Sequence, residues 1–361
     1  MKNLWKCSIA VFSMILFLTA CGGENDETGS ESSAEEMDSN SEEEGGDASE
    51  EGYNGESYEW TIGFNTPEDS VRDVAAERFK EIVEEETNGN VTVNIQPAES
   101  LGSEQEMLEQ IQTGALDFQL AGGGSMQNII PEYAVLQLPF MVENFDEAYA
   151  VLDGPIGDEL KSLAEEADYK ILSHTDLGFA QITNNVRPIN EPSDLEGIQI
   201  RSPEEPTSIS TFEQLGASTT TMAFTEVYLG LQQGVIDGQF NPLDAIYENN
   251  FHEVQDYLAM TNHFYYHVNF IMNLPLWEEL DPELQEVVQT AAEEARDASR
   301  EFTQEVDEEM RSTLEGEFEE ITEPDMQPFK EAIDYSEFSE TVDQDFINKT
   351  QDFIEEYREE N

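Results

Sequence analysis

Apolar and polar residues alternate at Trp60, Ile62 and Phe64, and then Val71, Val74, Ala75, Phe79, Ile82 and Val83 fall on one helical face. Period two predicts a strand set against a core, and period 3.6 predicts an amphipathic helix packed on it. Gly89 closes this unit, and Val91, Val93 and Ile95 alternate again. Ser103 and Glu106 read as a capping box ahead of Met107, Leu108 and Ile111. Leu116, Phe118 and Leu120 make a third strand, which runs into Gly122-Gly123-Gly124. Strand, helix, strand, helix, strand predicts an α/β fold with a largely parallel sheet.

A second region repeats this grammar, with strands at residues 169–173 and 198–200 and helices near 207–215 and 225–233. From Pro282 to about Leu314 one face stays apolar through Leu284, Val287, Val288, Ala291, Ala292, Ala295, Phe302, Val306 and Met310. At ~1.5 Å per residue such a helix exceeds ~40 Å, enough to cross two lobes. Two α/β lobes with a cleft between them are a common setting for a small-molecule site.

Charge narrows the field. The 361 residues carry 81 acids against 15 bases, a net charge of -66. Nucleic acid and anionic lipid headgroups demand clustered Lys and Arg, so a nucleic-acid role is excluded. A heavily acidic surface stays hydrated at high salt, where self-repulsion is screened, and points to a salt-loving source. The two cysteines, Cys7 and Cys21, both lie near the N-terminus, which leaves the folded part without a disulfide or a thiolate metal site.

Lys2 and Lys6 precede an apolar run from Ile9 to Leu18, followed by Thr19-Ala20-Cys21-Gly22. A basic start, a short apolar run and small residues at a cut site describe a signal peptide over residues 1–20, too short for a permanent span. Leu18-Thr19-Ala20-Cys21 resembles the bacterial lipobox, which makes Cys21 the lipidated first residue of an extracytoplasmic, membrane-anchored protein. The rest of residues 21–57 is Glu, Asp, Ser and Gly with 14 acids and no Lys or Arg, and reads as a disordered tether. It has no calcium-loop spacing.

Little in the folded part suggests catalysis. Gly122-Gly123-Gly124 lacks the Gly-Lys-Ser/Thr and GxGxxG contexts of nucleotide loops, so these glycines let backbone approach a ligand or another segment. His263 and His267 would share a face of a strand, but no third ligand stands at a metal spacing. They read, with His174 and His252, as packed or hydrogen-bonded residues. No nucleophile elbow or His-Glu-x-x-His is present. In so acidic a chain an arginine at a strand end stands out. Arg201 follows Ile198-Gln199-Ile200, at the edge where α/β clefts take ligands. It either pairs with a surface acid or offers a carboxylate its planar fork.

Several long motifs then resemble one family. They include Leu215-Gly216-Ala217, Met222-Ala223-Phe224-Thr225-Glu226-Val227-Tyr228 and Leu231-Gln232-Gln233-Gly234-Val235-Ile236-Asp237-Gly238-Gln239-Phe240-Asn241-Pro242. Thr183-Asn184 with Arg187-Pro188-Ile189, Asp194 to Arg201, Gly114 to Phe118 and Leu138-Pro139-Phe140 fit in order. From Tyr58 onward the chain resembles the solute-binding proteins of tripartite ATP-independent periplasmic (TRAP) transporters, DctP type. The resemblance implies a two-lobed, periplasmic-binding-protein-like α/β fold closing on one ligand, with a long helix spanning both lobes. Residues 58–178 with part of 267–361 would form lobe I, and residues 179–266 with the remainder lobe II.

The resemblance further implies that Arg201 pairs with a ligand carboxylate, that Asn241 binds the same region and that Phe224 packs on the ligand. Asn65, Phe240 and Gln181 complete the candidate set. Some relatives carry a second cation where this chain has Ala180, and many carry an acid where it has Phe240. Losing a cation and gaining an aromatic favours a monocarboxylate or a zwitterion, such as an ectoine-type osmolyte, over a dianion. The expected protein takes no cofactor or metal, performs no turnover and hands a small organic acid to a membrane permease. A lipid-anchored hydrolase would need a nucleophile–base pair, and a sensor would use the same lobes to signal.

Overall fold

The computed structural model describes Tyr53 and residues 55–361. The expected signal peptide, Cys21 and nearly all of the acidic segment lie outside the described residues. Tyr53, expected in the tether, is 2 % exposed. Its amide donates to the Glu86 carbonyl at 3.2 Å and its hydroxyl to Asp281 at 3.0 Å, so packed structure begins ahead of the boundary expected near residue 57.

The strands, in chain order, are β1 (Tyr58–Gly63), β2 (Val91–Gln96), β3 (Phe118–Gly122), β4 (Tyr169–Phe179), β5 (Gln181–Asn184), β6 (Gln199–Ser202), β7 (Ser218–Thr221), β8 (Gly238–Asn241), β9 (Tyr257–Ala259), β10 (Tyr265–Asn273) and β11 (Glu320–Thr322). They form two sheets, one ordered β2-β1-β3-β10-β4 and the other β11-β9-β5-β8-β6-β7. In the first, β1 runs parallel to β2 and β3, as the strand–helix alternation predicts. The sheet is largely parallel; β10 alone among its strands runs the other way, antiparallel to β3 and β4, because it returns from the second sheet in the opposite sense.

Two segments cross between the sheets side by side. β4 passes through Ala180 into β5, and the chain returns through residues 260–264 into β10. The Ala180 amide donates to the Phe264 carbonyl at 2.9 Å, binding the crossings together. Next to them, Gly178 sits at φ 87°, a left-handed geometry that glycine adopts without a Cβ clash. The helix Pro282–Leu314 is a third connection. Asp281 caps it by accepting from the Leu284 amide at 3.0 Å, and the helix packs on helix Val71–Glu86, on β4 and on helix Leu243–Glu248 of the other lobe. Its Ala291, Ala292 and Ala295 are small enough for β4 to lie close, so that the Ser173 hydroxyl reaches the Ala292 carbonyl at 2.8 Å.

Each lobe holds an aromatic core. Phe79 meets Phe270 at 4.7 Å and Trp60 meets Phe118 at 5.2 Å in the first. Phe212 stacks on Phe240 at 4.7 Å and 26° in the second. Among the described residues no helix is long and apolar enough to cross a membrane.

Candidate ligand cleft between the lobes

A cavity of about 310 Å³ opens where strand ends of both sheets meet. It lies near the lower end of the ~300–1,000 Å³ typical of small-molecule pockets. From the first lobe come Asn65, just after β1, Arg72 in the first turn of helix Val71–Glu86, Glu99, and Glu104 at the start of helix Glu104–Thr113. From the second come Arg201 in β6, Glu205, Phe224 and Asn241 at the end of β8. Tyr266 and Leu177, on the crossing strands, belong to the same lining.

Arg201 is 5 % exposed. Its Nε and Nη2 donate to the Met222 carbonyl at 3.2 and 2.9 Å, and its guanidinium lies 5.8 Å from the Phe224 ring. Among the described residues it joins no ion pair, and its Nη1 donates to no protein atom. Burial pulls its pKa down, while Tyr266, Glu205, Glu104 and Glu99 pull it back up. A guanidinium stays charged in such a site, and a buried charge without a counter-ion is costly. The arrangement therefore favours an anion in the cleft.

Arg72 is a second cation, and the sequence reading missed it. Its side chain is 4 % exposed, donates to Asn65 Oδ1 and stands 3.1 Å from Glu104 Oε1. Glu104 also accepts from the Gly122 amide at 2.7 Å. A Cβ on Gly122 would come within 3.2 Å of Arg72 Nη2, so glycine there leaves the guanidinium its room. A clue was present: a cation in a first turn opposes the helix dipole at a cost of ~0.3–1 kcal/mol, which a nearby acid offsets.

Asn65, Arg201, Phe224 and Asn241 thus line one cavity. Phe240 and Gln181 do not line it. Phe240 precedes Asn241 on β8, and successive side chains point to opposite faces, so Phe240 stacks on Phe212 in the core. Gln181 is fully buried beside the crossing, donating to the Phe179 carbonyl at 3.1 Å and accepting from the Asn262 amide at 3.1 Å. Phe240 is therefore out of the cavity's reach, and the second cation in the lining, Arg72, is already paired with Glu104.

Glu205 is 4 % exposed and its Oε2 accepts from Ser208 at 2.9 Å and Tyr266 at 3.3 Å. Burial pushes its carboxyl up to about 7. Glu99, raised chiefly by burial, accepts from the Thr225 hydroxyl at 2.6 Å across the cleft. Beside the cavity, Gln127 Oε1 of the first lobe accepts from the Thr207 amide and hydroxyl of the second at 3.1 and 3.0 Å.

The histidines stand apart from this lining. His174 meets Asn269 at 2.9 Å, and His263 meets Thr261 at 2.7 Å between Phe212 and Phe240. His263 lies on the crossing segment ahead of β10, so it shares no strand face with His267. Burial drives the imidazoles of His263 and His267 down to about 3 and about 4. Among the described residues no cluster of three or more His, Cys, Asp or Glu is placed to hold a metal ion. The glycine run serves packing: a Cβ on Gly123 would lie 2.0 Å from the His267 ring, and one on Gly124 2.2 Å from Glu205 Oε1.

Residues 62–340 match the DctP family, described as bacterial extracellular solute-binding protein, family 7. An uncharacterized protein of Sinorhizobium fredii is 39% identical over 63% of this chain, and a solute-binding protein of Verminephrobacter eiseniae is 37% identical over 61%. The matches span 42% and 65% of those two relatives' own lengths. The sialic acid-binding periplasmic protein of Vibrio cholerae is 30% identical over 80% of this chain and 90% of its own. Among solved structures, a TRAP periplasmic solute-binding protein from a Polaromonas species, bound to D-erythronate, is 30% identical with TM-score 0.79, covering 81% of this chain and 98% of that one. Another from Sulfurospirillum deleyianum, with bound succinate, is 28% identical with TM-score 0.78, covering 82% and 99%.

Proposed function

The chain belongs to family 7 of the bacterial extracellular solute-binding proteins, and from that premise we propose that it is a lipid-anchored receptor for a small organic acid. The lobes close over the ligand, and the loaded protein delivers it to a TRAP-type permease in the membrane. Binding without turnover is the family's business, and the cleft is built for it. Arg201 carries the reading: a nearly buried guanidinium with no ion pair among the described residues, facing a cavity lined by both lobes. A ligand carboxylate there completes the fork of Nη1 and Nη2 and touches both walls at once. Contacts to both lobes are what make closure favourable. Residues 58–178 and 179–266, each with part of the C-terminal third, serve as the two lobes. Asn65, Phe224 and Asn241 orient the acid, and Cys21 anchors the protein outside the cytoplasm.

Thermal unfolding of the purified protein at high salt, against a panel of carboxylates and neutral solutes, tests the reading. A ligand at ~100 times its dissociation constant adds ~2.7 kcal/mol to the native state. The expected result is a clear upward shift with at least one acid, abolished in Arg201→Ala. A shift only with neutral solutes, or one indifferent to Arg201, removes the carboxylate model. A mass increase on Cys21, absent from Cys21→Ala, checks the anchor.

A further inference from the structure

The cleft holds a carboxylate that the closing of a receptor on an anion does not call for. Glu205 is buried, lines the cavity and, among the described residues, enters no ion pair. Its Oε2 is satisfied by Ser208 and Tyr266, at 2.9 and 3.3 Å. Among the described residues its Oε1 accepts from no protein donor. Gly124 leaves room for it: a Cβ there would lie 2.2 Å from Glu205 Oε1 and 2.2 Å from Gln137 Oε1.

We propose that Glu205 selects the ligand by accepting a hydrogen bond from a hydroxyl beside the carboxylate held by Arg201, so that the cleft takes hydroxylated monocarboxylates and disfavours dicarboxylates. The inference rests on the carboxylate-receptor reading above and names its substrate class. Three features carry it. Arg201, Glu205 and Tyr266 line the same cavity, Tyr266 and Glu205 both act electrostatically on the Arg201 guanidinium, and Tyr266 donates to Glu205 at 3.3 Å. A hydroxyl there gives the Glu205 carboxylate a further donor in a largely desolvated site, whereas a methylene displaces water from it and offers none.

The charges of the wall oppose a dianion. Of the two arginines, Arg72 is committed to Glu104 at 3.1 Å. A second ligand carboxylate would meet Glu99, Glu204 or Glu205 without a free cation, and like charges in a partly buried site repel strongly. A site built to bond a ligand hydroxyl also discriminates sharply against the analogue that lacks it.

Equilibrium binding of the purified full-length protein to a matched series tests this. D-erythronate, butyrate, 2-aminobutyrate and succinate share four carbons, and galactonate and hexanoate repeat the comparison at six. The hydroxylated acid of at least one pair should bind ~tenfold or more tightly than its deoxy partner and than succinate. Glu205→Gln should weaken the hydroxylated acid ~tenfold and tighten succinate. If Glu205→Gln loses its thermal transition, Glu205→Asp, of equal charge and shorter reach, is read for the same ratio. Succinate, butyrate or 2-aminobutyrate binding as tightly as erythronate overturns the proposal, as does a ratio unchanged in the variant. Tight succinate binding that Arg201→Ala abolishes would sink this proposal and leave the receptor standing. No binding of any acid sinks both.

Discussion

Glu99 and Thr225 join the two walls of the cleft through one hydrogen bond, the threonine hydroxyl donating to the carboxylate at 2.6 Å. Glu99 follows β2 of the first sheet, and Thr225 lies in the turn after β7 of the second. The bond persists only while the walls stand this close. Thr225→Val keeps the volume and removes the donor. Such a bond is worth ~0.5–1.5 kcal/mol, so ligand affinity should fall ~2- to 10-fold. The melting point without ligand should hardly move. Titration calorimetry reads the affinity, and an unchanged value would show that the bond does not favour closure.

Arg72 and Glu104 make a different kind of link. Arg72→Gln leaves the Glu104 carboxylate beside the cavity without its cation. Breaking a fully buried pair costs ~3–5 kcal/mol, and less is expected here because Glu104 is 18% exposed. Both stability and ligand affinity should drop. Adding Glu104→Gln should restore most of the stability and none of the affinity. Denaturant unfolding and binding on the two variants separate these effects, and a rescued affinity would remove Arg72 from the site.

Phe240 should matter to the fold and not to the ligand. It is 1 % exposed and stacked on Phe212 and near Phe264. Phe240→Leu should cost ~1–3 kcal/mol of stability, less than the ~3–5 of truncation to alanine. The order of preference among acids should stay as in the parent protein. A reordered preference would restore Phe240 to the ligand's surroundings.

Stability should fall as pH rises above ~6.5. Burial lifts the carboxyls of Glu205 and Asp244 to about 7. Burial and then Asp244, Asp69 and Asp73 lift Glu248 to about 8. Their unfolded values are near ~4, so between the two the folded protein holds protons that the unfolded chain has released. The stability these groups contribute is present at low pH and lost as pH passes through their folded values. Buried His263 and His267, depressed to about 3 and about 4, act oppositely below ~6.5, where the unfolded chain protonates first. Melting at constant ionic strength should therefore be nearly flat from pH ~5 to ~6.5 and decline to pH ~8.5. Asp244→Asn should raise the melting point at pH ~8.5 more than at pH ~6. A melting point that climbs across the upper window would contradict this assignment.

The chain's own pattern was enough for most of the first lobe. Trp60, Ile62 and Phe64 alternate because one sheet face is buried, and the capping box of Ser103 and Glu106 forms as written, with mutual bonds at 2.8 and 3.3 Å. The long helix runs over Pro282–Leu314, where its apolar stripe placed it. These features are local: periodicity and caps depend on residues within a few positions of one another. The long motifs likewise made the family legible before any geometry was known.

Membership of the site was only half local. Asn241 and Phe240 are neighbours in sequence, and which of them faces the cavity depends on which side of the second sheet borders the cleft. Arg72 looked like one polar position on an amphipathic helix until Glu104 and Asn65 were found against it. Glu205 is one acid among 81, and nothing in its sequence neighbourhood marks it out. By itself the sequence determined the elements, their caps, the family and the arginine at the end of β6, because each is written in short-range spacing or long motifs. The tertiary structure alone decided which side chains share the cavity, which arginine is already paired and which carboxylate is buried. Those properties arise when segments far apart in the chain exclude water from the same small space.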